Sequence, residues 1–414
     1  MKKILKKSLS AFAVFALLSF AACAFDLNSY DFSVEVDVHN TESSVVTEPQ
    51  KMDTELNAIE FTKLMGHGIN LGNTLEAYRG WNGSTTRSPM AYETLWGQPV
   101  TTQEMMNAFK EAGFDCVRIP VAWTNMMNYE KGDYEIADAW LNRVEEVVNY
   151  ALNAGLYVII NDHWDGQWWG MFGSADETHR KNAILIYKSI WTQVANRFKN
   201  YDERLVFEGA NEELGSRLTD DTVFSNKKKG NLNEVQCYAV MNKINQCFVD
   251  LVRSTGANNA YRFLLIPGYN TDINKTTSIK FKMPTDIVAG RLMVSVHYYD
   301  PSSFCILNED ASWGKCKNEW GTDMEISTMK MTLKRMSSFV KEGYGVIIGE
   351  YGVAQKKEKG KYSMKDGTVL WMQKVVENCD ELGFVPVLWD CNTFFKKTGK
   401  LGFQNEEMAA IYKK

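Results

Sequence analysis

Two glutamates stand where apolar runs end. Glu350 closes "GVIIGE" (345–350), and Glu212 follows Asn211 just after "RLVFEGA" (204–210). A continuous apolar run reads as a strand buried on both faces, so each acid is expected on a rigid element at the edge of a core. Two carboxylates facing each other suit cleavage of a glycosidic bond: one protonates the leaving oxygen and the other attacks the anomeric carbon. A single acid after a strand is usually just solvated, so the pair has to be weighed with its neighbours. Arg118 lies inside the run "FDCVRIPV". It reads either as a buried arginine satisfied by carbonyls or as the cation that lowers a nucleophile's pKa. His163 and His297 end two further runs and read as core histidines, site residues or metal ligands. Against a metal, the first run ends in no H-x-H, and no H-E-x-x-H or C-x-x-C occurs. His67 reads as structural. Glu208 and Glu213 read as bystanders, and whether Glu208 points outward or inward, two pleats below Glu212, stays open.

The elements that would carry these residues alternate regularly. Strand-like runs lie at 68–73, 114–121, 157–163, 204–210, 263–269, 292–299, 345–350 and 385–391. Helical patterns lie at 102–112, 137–154, 180–199, 233–255, 325–342 and 366–382. In the second, Leu141, Val144, Val148 and Ala151 recur at helical spacing and Gly155 follows as a stop. Between the fifth and sixth runs "KTTSIKFKMPTD" allows at best a short helix. Eight strands with helical crossovers predict a closed (β/α)8 TIM barrel in one domain, 55–414, with a doubly wound open sheet as competitor. In a barrel the reactive groups belong at the C-terminal strand ends. Read in order, these ends offer Asn73, Arg118, His163, Asn211 with Glu212, His297 with Tyr299, Glu350 and Trp389.

Of twelve tryptophans, only Trp140, Trp191 and Trp371 fall on predicted helices. Trp81, Trp96, Trp123, Trp164, Trp168, Trp169, Trp313 and Trp320 fall after strands, and Trp389 at a strand end. Indole rings there can stack on the C–H faces of sugars without using charge. About half of these are expected instead to anchor loops.

Residues 1–24 read as a removable leader, with Lys2, Lys3, Lys6 and Lys7 ahead of a short apolar stretch. "SFAAC" (19–23) allows either lipid attachment at Cys23 or plain cleavage, so the protein is expected outside the cytoplasm, secreted or on the cell surface, and touching a membrane only through such an anchor. Without the leader, 42 basic residues face 51 acidic ones, a formal charge of −9. That argues against nucleic acid as a partner and for an uncharged or cationic ligand. Residues 25–54 read as a polar spacer with a short strand at "FSVEVDV" (32–38). Seven cysteines remain after the leader. Cys305 and Cys316 are the nearest candidate disulfide, while Cys237 and Cys247 lie too far apart on one helix to bridge.

Taken together, "GINLGNTLEA", "VRIPVAW", "FEGANEE", "SVHYYDP", "VIIGEYG" and "VLWD" resemble family 5 glycoside hydrolases, and within them the bacterial endoglucanase branch acting on β-1,4-glucans, xyloglucan included. The resemblance runs from about residue 66 to 392. It implies a retaining (β/α)8 enzyme, monomeric and needing neither cofactor nor metal. Glu212 would be its acid/base and Glu350 its nucleophile, held ionised by Arg118 and Tyr299. Asn211 would hold the sugar 2-hydroxyl, His297 would orient Glu212 and help keep it protonated, and Trp389 would floor the reacting sugar. His163, Asn73, Trp164 and Trp81 would line the glucan site. The chain departs from the family pattern twice: Trp164 stands where a second histidine is usual after the third strand, and Glu213 stands where N-E-P has proline. Trp164 would then add a stacking platform or narrow the groove. Mannanase or xylanase specificity, or a surface lipoprotein that binds glycan without turnover, are the alternatives. A panel of substrates separates the first two, and binding without depletion marks the third.

Overall fold

The computed structural model describes residues 25–79, 84–129, 132, 134–165, 168–219, 230 and 232–413. The leader and Trp81 lie outside the described residues. Eight parallel strands form a closed ring in chain order: β1 Gly68–Asn70, β2 Cys116–Ile119, β3 Tyr157–Asn161, β4 Leu205–Glu208, β5 Leu264–Pro267, β6 Leu292–Tyr298, β7 Gly345–Tyr351 and β8 Val385–Leu388. The ring closes by β1 against β8, with Gly68 opposite Val387, which an open sheet could not do. Helices Gln103–Glu111, Asp138–Asn153, Glu177–Phe198, Glu234–Ser254 and Thr368–Leu382 cover the outside. The fifth crossover has only a 3-10 turn, Tyr269–Thr271, and the single α-helical turn Ile273–Thr276. In the sixth, the expected helix 325–342 is two, Asp323–Lys334 and Ser337–Lys341. The Ser338 hydroxyl donates to the Arg335 carbonyl at the break, the local competition by which serines interrupt helices.

The barrel interior has two tiers. The lower is apolar: Cys116, Ile159, Val206, Leu265, Met293 and Ile347 pack together, and the helix Ala58–Met65 seals the floor beneath them. Its N-terminus is fixed by a reciprocal Asn57–Glu60 capping box, and Phe61 stacks on Phe263 at 4.0 Å. The upper tier is polar and equally buried, with Asn70, Arg118, Asn161, Glu208 and Ser295 all inside the ring.

A bulge in β7 sits just above. Val296 pairs with Ile348 but His297 pairs with Glu350, so Gly349 is an extra residue, and the β8 ladder slips at the same level. Ile347 faces the interior, so strict alternation would turn Glu350 outward. The inserted residue reverses the phase and turns it in.

Residues 25–54 form no strand at 32–38. The segment runs as a strap along the outer helices. The Tyr30 hydroxyl donates to the Phe172 carbonyl and Lys188 to that of Phe32; lower down, Gln50 N donates to Asn200 O. Lysines of the outer helices meet several of its carbonyls, Lys188 those of Phe32 and Val34 and Lys243 those of Leu27 and Tyr30, in place of strand pairing. Cys305 and Cys316 are not bridged: all seven described cysteines are free thiols, and the Cys316 Sγ–H donates to the Leu307 carbonyl at 3.2 Å.

Candidate active site

Arg118 organises the upper tier. Its Nε donates to Glu208 Oε2 at 2.7 Å, Nη1 to Asn70 Oδ1 at 3.0 Å and to Glu350 Oε1 at 3.1 Å, and Nη2 to Asn211 Oδ1 at 2.8 Å. Burial works against its charge, but Glu208 and Glu350 outweigh that and raise its pKa, so it stays cationic. Asn161 adds a second donor to Glu208 Oε2 at 3.0 Å. Asn70 Nδ2 donates to the Gly349 carbonyl at 2.9 Å, tying β1 to the bulge.

Glu350 emerges above this tier. Its Oε2 accepts the Tyr299 hydroxyl at 3.0 Å. Burial, then the charges of Glu350 and Glu212, hold that phenol far above its usual range, so it remains a donor. Glu212 Oε1 lies 2.9 Å from His297 Nδ1, and the same nitrogen is 3.5 Å from Glu350 Oε2. Glu212 Oε2 accepts from Arg217 Nη2 at 3.3 Å. The facing atoms of Glu212, His297 and Glu350 fall within 4.8 Å of one another. That closeness fits a retaining pair and leaves no gap of roughly 6.5–9.5 Å for an inverting water. Three such ligands could geometrically surround a cation. Their oxygens, however, already accept from Arg118, Tyr299, His297 and Arg217, a donor set suited to anions and protons.

The two acids are tuned oppositely. Burial raises Glu350, and the charge of Glu212 adds to it; His297, Arg118 and the Tyr299 hydroxyl oppose, and the net shift is upward. Burial also pushes Glu212 up, but the His297 hydrogen bond and the charges of His297, Arg217 and Arg118 outweigh it, and the net shift is downward. This direction is opposite to the expectation that His297 keeps Glu212 protonated: with a proton on Nδ1, a contact at 2.9 Å favours the carboxylate.

His163 is buried and pushed well below its usual range by burial and by the charges of Arg118, His297 and Arg217, so it is neutral. The Asn161 amide donates to its Nδ1 at 3.3 Å, which places the ring proton on Nε2, 4.0 Å from Glu350 Oε1. Its ring lies parallel to Trp389 with centroids 5.8 Å apart. Trp389 is half-buried and, with Tyr299, borders a cavity of about 470 Å³ shared with Ile306, Val353, Tyr362 and Phe394. Asn73 occupies the turn after β1 at φ 59°, a left-handed conformation that asparagine tolerates, with the Glu76 carboxylate accepting from its amide.

Of the loop tryptophans, Trp123, Trp168, Trp169 and Trp320 are buried anchors. Trp96 and Trp313 are exposed, and Trp164 and Trp389 half-buried. Trp164 is not an open platform on both faces, because the Arg217 guanidinium lies 3.8 Å over its ring. Asn70, Asn161 and Arg217 escaped sequence reading, and Glu208, whose direction was left open, points inward. Glu213, read as a bystander, is buried and accepts from the Trp164 and Asn211 amides, both at 2.9 Å.

A closed parallel barrel with a facing carboxylate pair at its C-terminal rim defines a retaining glycoside hydrolase site. The sequence profile of Cellulase (glycosyl hydrolase family 5) matches residues 76–394, and the chain belongs to that family. It is an endo-β-1,4-glucanase, as its relatives are. A xyloglucan-specific endo-β-1,4-glucanase of Bacteroides ovatus is 34% identical over 374 residues, 87% of this chain and 70% of that protein. Endoglucanase A of Paenibacillus barcinonensis is 36% identical over 357 residues, 81% of this chain and 82% of the relative. Among solved structures, a broad-specificity endoglucanase from Ruminococcus champanellensis with bound cellotriose has a TM-score of 0.72 at 31% identity, covering 88% of this chain and 99% of that one.

Proposed function

We propose that this endoglucanase works outside the cytoplasm on soluble β-1,4-glucans with and without side chains, xyloglucan among them, by double displacement between Glu350 and Glu212. The observation that carries the residue roles is the placement of His297 Nδ1 between the two acids, 2.9 Å from one and 3.5 Å from the other. Glu350 attacks the anomeric carbon, its charge met by Arg118 and the Tyr299 hydroxyl. Glu212 delivers a proton to the leaving oxygen and then draws one from water. Glu212 must carry a proton for the first step, and a glycosidic oxygen arriving as acceptor favours that protonated form. Asn211 Nδ2 is buried without a protein partner while its Oδ1 is held by Arg118, which supports its role as donor to the sugar 2-hydroxyl. Trp389 floors the reacting sugar, and His163, Asn73 and Trp164 line the chain's path.

Breadth toward branched chains is supported by the cavity of about 470 Å³ beside Trp389, and by relatives named as xyloglucan-specific and as broad-specificity endoglucanases. Export is supported by the basic-then-apolar pattern of residues 1–24. Reducing-sugar release from carboxymethylcellulose, mixed-linkage glucan, xyloglucan, glucomannan and xylan tests the reading, with Glu350→Gln as control. Release from the three glucans that vanishes in the control is expected. Preference for glucomannan or xylan would overturn the substrate range, and a control that keeps turnover would overturn the roles.

A further inference from the structure

The two positions where this chain departs from its family's motifs touch each other. The Glu213 carboxylate accepts from the Trp164 amide and fixes Trp164 in a left-handed backbone conformation at φ 53°. Such a conformation strains a bulky residue and persists only where the surroundings impose it. The ring so fixed lies beneath the guanidinium of Arg217 at 3.8 Å, and that guanidinium reaches Glu212 Oε2 at 3.3 Å. Asn270 holds the loop between them: its Nδ2 donates to the Glu212 carbonyl at 3.0 Å, and its Oδ1 accepts from Ser216 N at 3.0 Å.

We propose that Arg217, propped on the Trp164 ring, is a positioning residue that clamps the acid/base carboxylate and sets the upper pH limit at which it works. This rests on the assignment of Glu212 as acid/base. A stacked arginine keeps its charge while losing little freedom on pairing. The other groups bearing on Glu212 are His297 from β6 and Tyr299 just after it, Glu350 from β7, Arg118 from β2, and Glu213 beside it. Arg217 is the cation among them that a side-chain change can remove without dismantling the buried tier, because it is 30% exposed whereas Arg118 is fully buried. The sign follows from its charge. Arg217 favours ionised Glu212, so its loss lets Glu212 hold its proton to higher pH.

The test is kcat/KM against pH for cellotetraose, whose sugar leaving group needs the acid, and for a dinitrophenyl cellotrioside, whose leaving group does not. Arg217→Gln is expected to move the alkaline limb for cellotetraose upward by about 0.5–1 pH unit, the low end of what an adjacent charge does because the pair is partly solvated. The aryl substrate should show no such shift. Arg217→Lys should return part of the shift, and Trp164→Leu, which removes the prop but not the charge, should move the limb the same way by less. An unmoved limb in Arg217→Gln, or an equal fall on both substrates at every pH, overturns the proposal. If Arg217→Gln does not fold, the Trp164→Leu limb decides. Wild-type cellotetraose turnover in Glu212→Gln would instead overturn the acid/base assignment.

Discussion

Glu208 never meets substrate in this arrangement, yet its removal should be felt twice. Its carboxylate and the Arg118 guanidinium it binds at 2.7 Å are both fully buried. Truncation to alanine removes one partner of a buried pair, which costs about 3–5 kcal/mol. With unfolding entropy near 2.1 cal/mol/K per residue over about 390 residues, each kelvin is worth about 0.8 kcal/mol, so Tm should fall by about 4–6 °C. Arg118 then loses the anchor on its Nε, and its Nη1 contact with Glu350 at 3.1 Å loosens. A hydrogen bond to a charged group carries about 1.5–3 kcal/mol, so kcat should drop by about 10- to 150-fold. Glu208→Gln, which keeps an acceptor for Nε, should fall between alanine and wild type on both measures. Scanning calorimetry and initial rates on mixed-linkage glucan read the two effects from one preparation. A Glu208→Ala protein with Tm lowered by less than about 1 °C and unchanged kcat would refute the reasoning, because the upper tier would then not be what holds Arg118 in place.

Other outcomes follow from the same geometry. Tyr299→Phe removes the O–H donated to Glu350 at 3.0 Å and should lower kcat by about 10- to 100-fold with little change in Tm. Gly349→Ala would set a Cβ 2.8 Å from Ser295 Oγ and 3.3 Å from His297 Nε2; it should cost about 1–3 kcal/mol of stability and lower kcat as His297 is displaced. Asp162 is held well above the usual carboxylate range by burial and then by Asp165. Its folded form therefore keeps a proton that the unfolded chain releases near pH 4, and the stability it contributes is lost as pH rises. Asp162→Asn should accordingly melt closer to, or above, wild type at pH 8 than at pH 5, and the opposite trend would contradict a protonated Asp162.

All eight strands could be read from the sequence because central parallel strands are covered on both faces and appear as unbroken apolar runs. The residues at their ends were legible for the same reason: Glu350 and His297 are polar interruptions of an otherwise apolar text. Asn70 and Asn161 were not, and the direction of Glu208 stayed open, since facing the barrel interior or the helices depends on pleat phase, which no single run reveals. The bulge was hidden too, because an extra Gly349 is visible only against its partner strands. Arg217 lies five residues beyond Glu212 in the 3-10 turn Ser216–Thr219, and only three-dimensional closure brings it back. At 32–38, alternation resembling an edge strand came from a segment whose Phe32 and Val34 carbonyls accept from the Lys188 side chain of a neighbouring helix.

That strap bears on where the molecule can be cut. Its residues carry no catalytic group, and a recombinant chain started at the first barrel element would look complete on paper. Such a chain would lose the Thr41 hydroxyl from the Gln193 carbonyl, Ser43 from the buried Glu145 cluster, and the carbonyls of Val46, Gln50 and Asp53 from Asn200, Asn258 and Arg291. Polar atoms on two outer helices and three connecting segments would open to water at once. The strap is thus a removable-looking piece that the shell is fitted to, and the safe place for a purification tag or fusion partner is ahead of Phe25, not between the strap and the barrel.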